Sequence, residues 1–315
     1  MIRIPLYRAL FCTAVCRPCW SIVALLLALA GNPAFADGDL TTKFSNQNSV
    51  GNTRHNLTQR QASGGGPVGV IMDPYRNDYG QICVYCHTPH NANAAVSAPL
   101  WNRNIPNTTY RTYDQVDTNT LTQTVYQPGA ASLTCLSCHD GQQAVDAVMK
   151  MPGPGRYSAT PDNAFLNTWR NPSGTGPFTH MRLAQGECLA CHSSTAGFLG
   201  AGATDFSVFV IGTDLTNDHP VGVTFPTSDA GGDWKMPGGS KTTNGLVTKY
   251  FDENNNGRMD KGEIRLYDSG HGPSVECASC HDPHGVAPNG SSTFNPTFLR
   301  KSNTASAVCL TCHTK

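Results

Sequence analysis

Apolar residues recur with a helical or strand period only in short stretches of this chain. Residues 142–150 and 306–312 predict two short helices, and 206–211 and 221–225 predict short strands. Two further strands are expected at 246–251 and 264–267, on either side of a polar loop. Residues 63–67 (Ser-Gly-Gly-Gly-Pro) and 197–202 have the composition of flexible connectors. One apolar run stands apart, at 22–30. Arg3, Arg8 and Arg17 precede it and Ala34-Phe35-Ala36 follows, the pattern of a secretory signal cleaved after Ala36. The run is about half the roughly 20 residues a membrane span needs, and Asn32 and Pro33 end it. Residues 1–36 are therefore expected to be a signal peptide. Residues 37–315 are expected to form an exported domain of the periplasm or cell surface, with no transmembrane segment.

Composition makes an ordinary protein core implausible. Apolar residues are 39% of the 315, while Gly (31) and Pro (21) are plentiful. Some other apolar material must fill the interior, and the polypeptide is expected to be mostly coil with short helices and a few short strands. Charge excludes one class of partner. Three of the 22 basic residues and none of the 22 acids lie in the leader, leaving the rest at −3. With no basic stripe interleaved with aromatics, nucleic-acid binding is not expected.

The cysteines supply the missing material. Ten of thirteen fall in five Cys-x-x-Cys-His motifs: Cys83, Cys86 and His87; Cys135, Cys138 and His139; Cys188, Cys191 and His192; Cys277, Cys280 and His281; Cys309, Cys312 and His313. The other three, Cys12, Cys16 and Cys19, are in the leader. Two sulfurs three residues apart on one helical turn face the same way and can form thioethers to one porphyrin. The next residue then places an imidazole under the iron. Zinc or a redox pair would not require histidine after every second cysteine, and five adjacent disulfides would staple almost nothing. Five covalently bound haems c are expected. The fold class is thus a multihaem cytochrome c wrapped around a pentahaem array.

Motif starts are separated by 52, 53, 89 and 32 residues, so the long gap holds something more. Residues 252–263 match D-x-[DN]-x-[DN]-G-x5-E at every specified position. Asp252, Asn254 and Asn256 offer side-chain oxygens, Arg258 its carbonyl, Asp260 a direct or water-mediated ligand, and Glu263 a bidentate carboxylate, with Gly257 at the sharp turn. The flanks are strand-like, which predicts an EF-hand-like calcium loop inserted on a hairpin.

Six histidines lie outside the motifs: His55, His90, His180, His219, His271 and His284. Each of five irons has a second axial position, and histidine is favoured there over the rival Met72, Met149, Met151, Met181, Met236 and Met259. His90 and His284 stand three residues after a motif histidine, in Cys-His-Thr-Pro-His and Cys-His-Asp-Pro-His. They cannot reach around their own porphyrin but can reach a neighbouring one. His219 and His271 sit in tight Pro- and Gly-flanked loops. His55 and His180 compete for the last position.

The stretches 83–92 (CVYCHTPHNA), 218–225 (DHPVGVTF), 275–285 (VECASCHDPHG) and 54–58 (RHNLT) resemble the doubled-CxxCH multihaem cytochromes of metal-respiring bacteria. That group includes outer-surface cytochromes that polymerise into conducting filaments. The resemblance implies that His55 ligates a haem of a neighbouring subunit, giving a head-to-tail homopolymer with His180 spare. The alternative has His55 ligating within its own chain.

With every iron six-coordinate, the expected role is electron transfer and not catalysis, in anaerobic or extracellular respiration. The partners would be other cytochromes and extracellular electron acceptors. The competing expectation is a nitrite, hydroxylamine or sulfur-oxyanion reductase with one open haem. A calcium-gated sensor or a structural surface protein is a third.

Overall fold

The structure, a computed structural model, describes residues 45–58, 79–105, 107–152, 180–194, 205–229, 231–243 and 245–315. The expected signal peptide at 1–36 and the connectors expected at 63–67 and 197–202 lie outside them. Among the described residues, regular structure is sparse. Four short α-helices occur, α1 (Ala130–His139), α2 (Cys188–Cys191), α3 (Cys277–Cys280) and α4 (Cys309–Cys312). Each coincides with or ends in an attachment motif, and a 3-10 turn (Ile82–Tyr85) carries the first motif. No helix among the described residues is long and apolar enough to cross a membrane.

Strands β1 (Val223–Thr224), β2 (Gly239–Thr243), β3 (Leu246–Tyr250), β4 (Arg265–Asp268) and β5 (Pro273–Val275) form one antiparallel sheet in the order β1-β5-β4-β3-β2. Pairing of Tyr250 with Arg265 and Lys249 with Leu266 confirms the hairpin expected around 252–263. The strand expected at 221–225 is present as β1.

Two expectations fail, the first because tertiary partners capture the backbone and the second because a local side chain does. Residues 142–150 are not helical. The carbonyls of Ala144, Val145 and Ala147 accept from the guanidinium of Arg103, and Lys150 exchanges hydrogen bonds with the amide side chain of Asn102. Residues 206–211 contain a 3-10 turn, Ser207–Phe209, in place of a strand. Asp205 Oδ1 accepts from both the amide and the hydroxyl of Ser207 and starts that turn. The helix expected over 306–312 is reduced to α4, because Ala305 and Ser306 adopt left-handed φ values of 53° and 60°.

The apolar interior is divided into four small clusters, and each contains part of a motif. Tyr79, Val84, Tyr85 and Val148 pack with Cys86, and Tyr110, Leu136 and Leu215 enclose the second motif. Leu183, Cys188 and Leu189 form the third cluster. Phe225, Phe251, Ile264 and Leu266 pack the sheet against Cys280 and Cys312 of the last two motifs. Such a divided interior is what the low apolar content implies.

Candidate functional site

Each motif is one closed helical turn. The histidine amide donates to the carbonyl of the first cysteine in four of them: His87 to Cys83 (2.8 Å), His192 to Cys188 (3.0 Å), His281 to Cys277 (3.1 Å) and His313 to Cys309 (3.0 Å). The second motif lies inside α1. Both cysteines therefore stand on one face. The residue before the second cysteine points the other way and is buried: Tyr85, Ser137, Ser279 and Thr311 are all 4% exposed or less. These buried residues fix the first, second, fourth and fifth turns, whereas in the third the buried residues are Cys188 and Leu189.

The motif cysteines form no disulfides. Burial, assisted by nearby thiols, pushes Cys86 and Cys312 up to about 12 and Cys280 up to about 11, and raises Cys135 as well. Burial, assisted by Glu276 and Asp218, pushes Cys277 up to about 11. Redox and zinc-binding pairs lower their thiol pKa values to favour thiolate. Apolar surroundings that keep the thiols neutral fit thioether links to a hydrophobic macrocycle instead.

The motif histidines are oriented by backbone carbonyls. Nδ1 of His87 donates to Pro99 O (2.8 Å), that of His139 to Phe209 O (2.6 Å) and that of His281 to Thr297 O (2.7 Å). A carbonyl can only accept, so the proton is on Nδ1 and the lone pair on Nε2 faces outward. That is the arrangement metal-ligating histidines adopt.

The first and fourth motifs are built alike. A return segment crosses each histidine in antiparallel fashion, His87 opposite Trp101 and His281 opposite Leu299. In the first, Thr88 N donates to Leu100 O (2.9 Å) and Asn102 N to Cys86 O (2.9 Å). In the fourth, Asp282 N donates to Phe298 O (2.8 Å) and Arg300 N to Cys280 O (2.7 Å). Leu100 and Phe298 share the left-handed conformation, with φ of 54° and 59°. Asn102 Nδ2 then donates to Val84 O (2.7 Å) where Arg300 Nε donates to Ala278 O (3.0 Å), the same position within the two motifs. This matched unit surrounds the two Cys-His-x-Pro-His sequences.

Proximity orders the motifs. Charge on Cys138 raises Cys86, Cys277 raises Cys135, and Cys309 raises Cys280. Cys86 thus lies near the second motif, Cys135 near the fourth and Cys280 near the fifth, while His284 beyond the fourth lies beside His87 of the first. The third joins at the second through residues 206–212. Phe206 stacks on His192 (3.9 Å between ring centres), while Phe209 O, Ile211 N and Gly212 N all bond His139.

Several residues that motif reading overlooked hold this arrangement. Arg103 is fully buried, and its guanidinium donates five hydrogen bonds to Ser137, Ala144, Val145 and Ala147. Glu276, 2% exposed, ties the second motif to the fourth. It accepts from Gly129 N (3.1 Å) and from the hydroxyls of Ser132 and Ser269, while Ser132 Oγ accepts from Cys277 N. A Cβ on Gly129 would lie 1.8 Å from Ser269 Oγ, so only glycine admits this junction. Replacing Glu276 by Ala is expected to cost about 2–4 kcal/mol by stranding these donors, measured by chemical unfolding of the haem-loaded protein.

The histidines outside the motifs are distributed as follows. His284 stacks parallel to His87, ring centres 6.1 Å apart and planes at 11°. His55 stands edge-on to His139 at 6.3 Å and 87°, within the same chain. His219 lies near enough to His313 to lower its pKa. His271 stacks on Tyr126 (3.8 Å), and His90 is exposed. His180 is buried, its Nδ1 bonded to the buried carboxylate of Asp146. The six calcium-type ligands Asp252, Asn254, Asn256, Arg258, Asp260 and Glu263 lie together on the β3–β4 hairpin loop. Among the described residues no three His, Cys, Asp or Glu side chains converge as a metal cluster.

Residues 271–315, holding the last two motifs, match the family described as the doubled CXXCH motif. They mark a haem-binding protein of the cytochrome c type. No curated protein matches the chain. The Cys-x-x-Cys-His motifs indicate covalently bound haem c.

Proposed function

We propose that the protein is an exported pentahaem c-type cytochrome that passes electrons between closely spaced haems, each iron closed by a second histidine, and that it is a carrier and not an enzyme. The spacing of two imidazole pairs carries this reading. Two metal–nitrogen bonds of about 2 Å, plus about 1.1 Å from each ring nitrogen to its ring centre, separate two imidazoles on one metal by about 6.2 Å. His87 with His284 and His139 with His55 stand at 6.1 and 6.3 Å. In all four rings Nδ1 is engaged by an oxygen, of Pro99, Asp282, Phe209 and Pro283 respectively. Nε2 is therefore the nitrogen left to ligate.

His284 thus closes the first haem from the fourth motif's segment, and His55 closes the second. His219, close enough to His313 to act on it, is our candidate for the fifth. His90, His180 and His271 remain for the third and fourth irons. Of these His180 has the support of Asp146, the carboxylate–histidine pattern of ligated metals. Haem supplies the reversible one-electron change of its iron. The chain fixes the tautomers, surrounds the thioethers with apolar groups and holds neighbouring motifs in series. His55 standing beside His139 of its own chain supports the intramolecular alternative. The setting is the periplasm or cell surface, in anaerobic or extracellular respiration.

Carbon monoxide added to the reduced, haem-loaded protein is expected to leave the haem spectrum unchanged. Conversion of one fifth of the haem would point to an open site and to the reductase instead.

A further inference from the structure

The loop at 252–263 is not used by the haem arrangement. Its ends are brought together by the β3–β4 pairing and by Phe251 N donating to Ile264 O (3.1 Å). Asp252 accepts from Asn256 N (3.0 Å) and Gly257 N (2.8 Å), with Gly257 at a φ of 70°. Asn254 Oδ1 and Asn256 Oδ1 accept from Asn256 N and Arg258 N. These bonds are local turn geometry and by themselves assign nothing.

Glu263 decides the matter. It is 5% exposed, and Oε2 accepts from Asp260 N (2.9 Å), while buried Oε1 has no hydrogen-bond partner. A buried carboxylate oxygen left without a hydrogen-bond partner is a costly arrangement unless a cation meets it. Asp260 Oδ2 meanwhile accepts from the amide groups of Asn254 (3.0 Å) and Asn256 (2.7 Å). These two NH2 groups supply the positive charge a cation would bring. Turning both amides over would present oxygens in their place.

The loop is also tied to both C-terminal motifs. Glu253, its second residue, bonds Lys301 Nζ and accepts from Thr311 Oγ1 (3.4 Å), inside the fifth motif. Arg300, 4% exposed, donates to Lys261 O (3.1 Å) of the loop, to Ala278 O (3.0 Å) inside the fourth motif and to Asp282 Oδ2 (3.1 Å) beside His281. Phe251 and Ile264, which flank the loop, pack in the cluster that holds Cys280 and Cys312.

We infer that this loop binds one calcium ion through oxygens of Asp252, Asn254, Asn256, Arg258, Asp260 and Glu263, and that the bound ion clamps the fourth and fifth attachment motifs to each other. The all-oxygen set with a bidentate carboxylate suits calcium, whereas magnesium demands a smaller octahedral shell and keeps its water. Only the clamping depends on the electron-carrier reading, since it concerns the haems at those two motifs.

Equilibrium dialysis of the full haem-loaded chain against calcium, with metal analysis, is expected to give one ion per chain. Glu263→Gln and, independently, Asp252→Asn should bind about tenfold more weakly or worse. Absence of uptake at millimolar calcium, or unchanged uptake in both variants, overturns the site. Redox titration tests the clamp: chelating calcium should lower two of the haem midpoint potentials and leave the others in place. Glu253→Gln should keep its calcium but show a smaller shift. Calcium uptake with no change in any potential overturns the clamp and leaves the site standing. Carbon monoxide binding in the same preparation reports separately on the carrier reading.

Discussion

Replacing His284 by alanine is expected to convert one haem of the loaded protein from low to high spin and to let about one fifth of the haem bind carbon monoxide, from none in the parent. The expected site is the first motif although the substitution lies beyond the fourth, because the His284 ring lies parallel to His87 at 6.1 Å between centres. A loss of ligand on the fourth motif's own haem would contradict the pairing. His55→Ala should open the second motif in the same way, and the double variant two fifths. His284 is solvent-exposed and bonds only Asp282, so truncating it removes little packing, and the spectral change should appear in a folded protein. Electron paramagnetic resonance of the oxidised protein and carbon monoxide difference spectra of the reduced protein measure it directly.

Replacing Arg103 by leucine is expected to abolish most of the protein's stability. Its guanidinium is fully buried, and its partners are backbone carbonyls and a serine hydroxyl. Deleting it strands the carbonyls of Ser137, Ala144, Val145 and Ala147. At about 1–3 kcal/mol per buried unsatisfied group the loss is on the order of 4–8 kcal/mol, against a typical total of about 5–15 kcal/mol. Arg103→Lys keeps the charge but, with three donors on one nitrogen, cannot span the same carbonyls. It should be destabilised by roughly half as much. Arg103 also lowers the pKa values of Cys86 and His139, so its charge is felt at the first two motifs. A cation favours the reduced haem. The leucine variant should therefore lower a midpoint potential that the lysine variant preserves, which separates the electrostatic role from the structural one.

The chemistry of this chain was legible because it is local. Two thiols and an imidazole within five residues, or six oxygen ligands within twelve, are fixed by the geometry of one turn or one loop. The hairpin under the calcium-type loop was legible for the same reason, since strand alternation flanks it on both sides. The fold around these sites was not, because its determinants are distant in sequence. Residues 142–150 have a helical pattern, but their carbonyls belong to Arg103 and Asn102 some forty residues earlier. Glu276 looks like an ordinary surface acid until Gly129 and Ser132 close around it. The distal histidines fall between these extremes. That His284 must serve another haem followed from its spacing, but that this haem is the first followed only from the crossing of the chain.

The proposed pairing of His284 with His87 has a consequence for assembly. The first haem can be attached as soon as residues 83–87 emerge, but the histidine proposed to close it arrives only with residue 284. The ring of His55, at the other end, is held by Pro283 O. On that pairing the first iron of the N-terminal half is finished only by the C-terminal half, whereas the second takes His55 from its own half and relies on Pro283 only to hold that ring. A chain stopped after the third motif would then carry a first haem open to oxygen and small ligands. Closure of the first iron would report that the whole polypeptide has arrived.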